Sequence, residues 1–297
     1  MTPAFGARLR ATVDDRGRLC VGIDPHPSLL RAWGLPDAPD GLAGFCETVV
    51  GALAGEVAVV KPQSAFFERH GAAGIAVLEQ TIRAARSAGA LVLLDVKRGD
   101  IGSTAQAYAD AYLRGDAALA VDAITVNPYL GFESLRPFLD TAHEHGTGLF
   151  VLGLTSNPAE GAALQRALVV SEDVGGGSVS RTAAAAVLAC VRAENEAAAG
   201  AGGDGSVGIV VGTTLSADDL AGAGLTGRGL DVAGPVLAPG LGAQGGTATD
   251  VRRIFGAVAE RVLPAVSRAV LSAGPDPAAV RAAALRHRDA VQSALAS

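Results

Sequence analysis

Two carboxylates and an ammonium fall within six residues of the stretch Asp95-Val96-Lys97-Arg98-Gly99-Asp100-Ile101. They follow the apolar run Leu91-Val92-Leu93-Leu94, whose length and polar boundary predict a buried parallel strand. Side chains alternate along extended chain, so Asp95 and Lys97 are expected on one side. Gly99 is expected to let the backbone turn before Asp100. An ammonium between two carboxylates stays protonated, because nearby negative charge favours the charged form. That is a fixed proton donor, the opposite of a Schiff-base lysine, which needs a depressed pKa. The same residues would also suit a solvated turn that happens to be charged, and the elements around them bear on the choice.

Seven further apolar runs accompany Leu91–Leu94: Leu19–Ile23, Val57–Val60, Ala123–Val126, Leu149–Leu154, Val207–Val211, Val236–Ala238 and Val262–Val266. Helical spacing lies between most of them. Phe45, Val49 and Leu53 share a face, as do Ile75, Leu78 and Ile82 with Gly89 as a stop. Leu135, Phe138 and Ala142 end at Gly146; Val251, Phe255 and Val258 make another face; Val280, Ala284, Val291 and Leu295 fit a last helix. A helix is expected over Val179–Ala199, and one or two turns over Ser216–Leu220. Strands alternating with helices imply right-handed crossovers and a parallel sheet. Eight such units in 297 residues predict a single-domain α/β fold, a (β/α)8 TIM barrel spanning residues 1–297. The competing open sheet of a dinucleotide fold lacks its GxGxxG after the first strand.

Each of these strands ends in something polar: Asp24, Lys61-Pro62-Gln63, Asp95-Val96-Lys97, Asn127-Pro128-Tyr129, Thr155-Ser156-Asn157, Thr213-Thr214, a Gly-rich loop and Ser267-Arg268. A barrel brings all eight ends to one face, where the active site of such enzymes sits. Four charged ends on one face weigh against the solvated turn.

The stretch Pro239–Gly246 holds four glycines in eight residues and leads into helical sequence near Thr247. Glycine-rich backbone, a helix N-terminus and the fork of Arg268 together suit a phosphate. A tight turn beside a surface charge would look the same.

Composition narrows the classes. A net charge of −6 argues against a general nucleic-acid binder, which carries a basic face. Cys20, Cys46 and Cys190 are odd in number and far apart, with no CxxC or Cys/His pairing to suggest a metal site or disulfides. The N-terminus has no apolar leader core, and no run approaches the ~18 residues of a membrane span. A cytoplasmic enzyme with no membrane partner is expected.

Taken together, the segments LCVGIDPHPSLL (19–30), VVKPQSAFFE (59–68), LLDVKRGDIGST (93–104), ITVNPYLGFESLRPF (124–138), VLGLTSNP (151–158), APGLGAQGG (238–246) and LPAVSRAVLSAG (263–274) resemble the orotidine 5′-phosphate decarboxylase family, in its longer-chain bacterial form. The DxKxxD core is shared with metal-dependent sugar-phosphate barrels, whose second strand ends in an acidic ligand where this chain has Lys61. The resemblance implies cofactor-free and metal-free loss of CO2 from orotidine 5′-phosphate to give uridine 5′-phosphate, the last step of de novo pyrimidine nucleotide synthesis. It also implies a homodimer with shared sites.

By the same resemblance, Asp24 would bind the ribose hydroxyls and Lys61 would bridge ribose and Asp95. Asp95 would lie beside the substrate carboxylate and Lys97 would protonate C6. Asp100, Ile101 and Thr104 would reach into the partner's site. Ser156 would contact the pyrimidine, and Gln244, Gly245 and Arg268 the phosphate. Residues 165–178 form a poorly patterned insertion, a lid flank or a surface excursion, with no catalytic role assigned. A metal-dependent sugar-phosphate decarboxylase or aldolase, a Schiff-base aldolase and a silent nucleotide-binding barrel remain as alternatives.

Overall fold

The computed structural model describes residues 3–155, 159–172, 178–199 and 204–296. Five strands come first: β1 (Cys20–Ile23), β2 (Val59–Pro62), β3 (Leu91–Arg98), β4 (Ala123–Val126) and β5 (Gly148–Leu154). A separate antiparallel pair follows, β6 (Leu168–Glu172) with β7 (Ser178–Thr182). Then come β8 (Val207–Val211), β9 (Val236–Pro239) and β10 (Val262–Val266). The eight strands outside the hairpin close into a parallel barrel in the order β1-β10-β9-β8-β5-β4-β3-β2, the expected (β/α)8 architecture.

Strand alternation sorts the core into two parts. Outward residues such as Val21, Val60, Val92, Leu94, Ile124 and Val151 pack against the surrounding helices. Inward residues such as Val59, Leu91, Leu93, Ala123, Phe150, Leu237 and Leu263 fill the barrel. Phe5, Leu9 and Val13 of the helix Phe5–Arg16 join the inner cluster, with Phe5 edge-on to Phe150 at 6.0 Å between centroids. This N-terminal helix, which the sequence pattern did not suggest, packs its apolar side against the interior residues at the strands' starts.

The inward row then changes character toward the strand ends. Val59 is followed on its own side by Lys61, Leu91 and Leu93 by Asp95 and Lys97, and Ala123 by Thr125. Charge at these positions does not end the strands. β2 runs to Pro62 rather than stopping at Val60, and begins at Val59 rather than Val57; β3 runs to Arg98. An apolar-run rule truncates a strand at its first charge, whereas a barrel interior can neutralise that charge with another.

Two helical expectations change. Val179–Thr182 pairs with Leu168–Val170 and Ser171 as a strand, and the helix begins at Ala183. The β-branched Val179 and Thr182 suit a pleated ribbon better than the alanines after them. The insertion is therefore the end of a helix (Ala159–Arg166), then β6; residues 173–177 lie outside the described residues. Ser216–Leu220 is a short helix, Ala217–Gly222, started by a capping box of Ser216 and Asp219. Gly146 ends Arg136–His145 with φ 65°, as its type suggested. No described helix is long and apolar enough to cross a membrane.

Candidate active site

The polar ends of the strands enclose a cavity of about 360 Å³. Asp24, Lys61, Asp95, Lys97, Gln244 and Arg268 all line it. Six of the residues singled out from sequence thus meet in one place, although they come from four strand ends and a loop.

Asp95 is the centre. Its Oδ2 accepts from Lys61 Nζ at 2.9 Å and from Gln63 Nε2 at 3.1 Å. Its Oδ1 accepts from Lys97 Nζ at 2.6 Å and from Thr125 Oγ1 at 2.8 Å. Burial by itself would push this carboxyl up, but the ammonium groups of Lys61 and Lys97 outweigh it and hold the carboxyl well below the usual carboxylate range. Burial likewise works against charge on Lys61, and Asp95 with Asp24 overrides it, raising the ammonium above its ordinary value. Lys61 is 8% exposed; the Lys97 side chain is 48% exposed and faces the opening. One lysine is locked into the wall and the other is presented to whatever enters.

These couplings set a stability prediction. Asp95 titrates lower folded than unfolded, so its contribution is present above about pH 4 and fades as pH falls toward the folded value. Lys61 titrates higher folded, so its contribution is present below about pH 10 and is lost as pH rises through the folded value. Asp95→Asn strands a buried ammonium and is expected to cost ~3–5 kcal/mol at neutral pH. Urea denaturation of both proteins should show that gap flat between these limits and shrinking in acid; a pH-independent gap would mean the carboxylate charge is immaterial.

The backbone at Lys97 departs from expectation. Lys97 itself has φ 44°, in the left-handed region, while Gly99 does not. Gly99 is a glycine for space, since a Cβ there would come within 2.5 Å of Asn127 O. Four steps of β3, Leu94 to Arg98, span what two steps of β4 span, Ile124 to Val126, so the strand bulges at its charged end.

At the other side of the cavity, the buried Asp24 Oδ1 and Ser267 Oγ have no hydrogen-bond partner among the described residues. Such atoms are costly unless something satisfies them. Arg268 makes no ion pair among the described residues. The Gly-rich loop is shaped by Gly240, Gly242 and Gly245, with φ 111°, 79° and 95°. Its turn closes on itself through Gly242 N to Gly246 O and Gly246 N to Gly240 O. The anticipated helix N-terminus is not free: Thr247 and Asp250 cap Ala248–Phe255 reciprocally, and the Asp250 carboxylate already occupies that end. The cavity groups open to an anion are the Arg268 guanidinium and the Gln244 side chain, rather than that helix end.

Asp100, Ile101 and Thr104 do not line the cavity of their own chain. Asp100 accepts from the Ile101 amide at 2.8 Å and makes no hydrogen bond or ion pair with Lys97, so among the described residues Asp95 is the carboxylate paired with that ammonium. Ile101 is 62% exposed and Thr104 is exposed as well. Gly245 sits in the loop beside Gln244, and Ser156 lies outside the described residues. Gln63 and Thr125 were missed from sequence, though Thr125 stands two residues past the inward Ala123 on the same strand. No three of His, Cys, Asp and Glu come together as a metal-holding group among the described residues.

The chain matches the family model described as orotidine 5′-phosphate decarboxylase / HUMPS family over residues 17–283. It is 58% identical to an orotidine 5′-phosphate decarboxylase of Salinispora arenicola over 284 residues, 95% of each chain. It is 54% identical to the Streptomyces coelicolor protein of that name over 291 residues, 98% of each. A Streptomyces avermitilis crystal structure, named as a candidate orotidine 5′-phosphate decarboxylase, superposes with TM-score 0.89 at 53% identity, covering 100% of this chain and 97% of its own.

Proposed function

From the premise that this chain belongs to the orotidine 5′-phosphate decarboxylase / HUMPS family, we propose how its cavity carries out that family's reaction. The chain is an enzyme of pyrimidine nucleotide synthesis that converts orotidine 5′-phosphate to uridine 5′-phosphate and CO2. The observation that carries the mechanism is the half-exposed Lys97 ammonium held by a buried, ionised Asp95.

The bond from C6 to the carboxylate breaks, CO2 leaves, and the electron pair stays on C6. A charge developing on a carbon with no ring acceptor is best met by a fixed cation already in place. Lys97 Nζ is that cation and gives its proton to C6; the amine regains a proton from solvent at the open side. Asp95 lies beside the departing carboxylate, and Lys61 holds Asp95 while reaching the ribose. Asp24 Oδ1 and Ser267 Oγ, buried without partners among the described residues, suit the ribose hydroxyls or the nucleotide close to them. Gln244, Gly245 and Arg268 take the phosphate, and Ser156 the pyrimidine. The residues that miss their own cavity, Asp100, Ile101 and Thr104, serve the site of a second copy in a homodimer. The whole chain acts as one barrel domain, without metal or cofactor. Three free cysteines, two of them buried, fit a reducing cytoplasm.

The test is spectrophotometric loss of orotidine 5′-phosphate with EDTA present. Undiminished turnover is expected; abolition by chelator would favour a metal-dependent sugar-phosphate enzyme instead. For the phosphate side, Arg268→Ala should lose roughly a hundredfold in kcat/KM on orotidine 5′-phosphate, as loss of a charge-assisted pair does. With orotidine, which has no phosphate, the same change should cost little. Equal losses on both would make Arg268 structural.

A further inference from the structure

We infer that Thr125 is a positioning residue of this centre: its hydroxyl holds both the left-handed turn that carries Lys97 and the oxygen of Asp95 that meets the Lys97 ammonium. The inference rests on the reaction proposed above and deepens it.

The bulge at the end of β3 leaves the amides of Val96 and Lys97 out of step with the carbonyls of β4. A buried N–H cannot be left unpaired without cost. Thr125 Oγ1 accepts from both, at 3.1 Å from Val96 N and 2.9 Å from Lys97 N. The same oxygen donates its single proton to Asp95 Oδ1 at 2.8 Å. A hydroxyl has one donor and two acceptor sites, and all three are used here. Thr125 is 1% exposed, so no solvent competes for them.

The consequences meet at one atom. Asp95 Oδ1 is the oxygen that Lys97 Nζ approaches at 2.6 Å, and Lys97 has φ 44°, a conformation a residue with a Cβ holds only when its surroundings insist. Arg98 resumes the ladder, accepting from Asn127 N at 2.8 Å, so the displaced segment is bounded on both sides. Between those bounds, among the described residues, the Thr125 hydroxyl is the side-chain group tied to both the bulge amides and Asp95. Without it the peptide at Lys97 can relax toward ordinary extended geometry, and the ammonium moves away from its place over the reacting carbon.

Thr125→Val keeps the shape and removes the hydroxyl. Misplacing a reacting group by about 1 Å costs on the order of 100-fold, so kcat on orotidine 5′-phosphate should fall by about that much. KM and the Kd of uridine 5′-phosphate should stay near wild type, because Thr125, although it lines the cavity, is only 1% exposed, and Asp24, Gln244, Ser267 and Arg268 are unchanged. Thr125→Ser, which keeps the three bonds, should restore most of kcat. A merely structural role would lower the melting temperature yet leave kcat per folded molecule unchanged, and that result overturns the inference. So would a serine variant as slow as the valine one. If Thr125→Val does not fold, Thr125→Cys, close in size with a weak donor and acceptor, takes its place: an intermediate kcat supports the inference and a wild-type kcat overturns it. Wild-type protein that fails to turn over orotidine 5′-phosphate would instead refute the reaction itself.

Discussion

Lys97→Ala is expected to lower kcat for orotidine 5′-phosphate by roughly 10⁴-fold, the range of a lost general acid joined to a lost preorganised charge. The fold should survive. The Lys97 side chain is half exposed, and its removal leaves Asp95 bonded to Lys61, Gln63 and Thr125. Uridine 5′-phosphate should therefore still bind, because Asp24, Ser267 and Arg268, which line the same cavity, are unaffected. The contrast is the informative part. An interaction made only as charge develops on C6 shows in kcat and not in ground-state affinity. Stopped kinetics beside calorimetric titration with uridine 5′-phosphate measure the two separately. Residual turnover near wild type would remove Lys97 as the proton donor, and a parallel loss of nucleotide affinity would make it a binding residue.

The second large effect is a recovery rather than a loss. Lys97→Ala and Asp100→Ala chains, each nearly inactive alone, should regain about a quarter of wild-type activity when allowed to reassort. The expectation joins the geometry to the shared-site homodimer that the family resemblance implies. Lys97 faces its own cavity while Asp100 turns away beside the exposed Ile101 and Thr104 at the start of the helix Gly102–Leu113. In a two-fold dimer each chain would then lend Asp100 to the other's Lys97. Random mixing makes half the dimers mixed, and one of the two sites in each carries neither change. Native mass spectrometry of differently tagged chains establishes the mixing. Confirmed mixing without activity would put Asp100 to work in its own chain.

The sequence by itself was enough for the barrel and for most of its working residues, for a simple reason. Parallel strands buried on both faces read as apolar runs, so the places where polar residues interrupt them are visible without coordinates. Asp24, Lys61, Asp95, Lys97, Gln244 and Arg268 were found in that way or through the family motif, and they line one cavity. What only the tertiary structure decided depends on a partner strand. The end of β2 at Pro62 and of β3 at Arg98 follows from neutralisation across the barrel, since Lys61 meets Asp95 34 positions away. The left-handed turn at Lys97 rather than Gly99 follows from the bulge against β4, and the reason for Gly99 is the nearness of Asn127 O. The hairpin of β6 and β7 depends on pairing between segments that local helix preference favoured differently. Thr125 is the sharpest case. Nothing local marks a threonine in Ile124-Thr125-Val126, and its meaning lies in two amides and a carboxylate that another strand brings to it. Side-chain type and alternation are local properties; which donors lose their ladder partners is a property of the closed barrel.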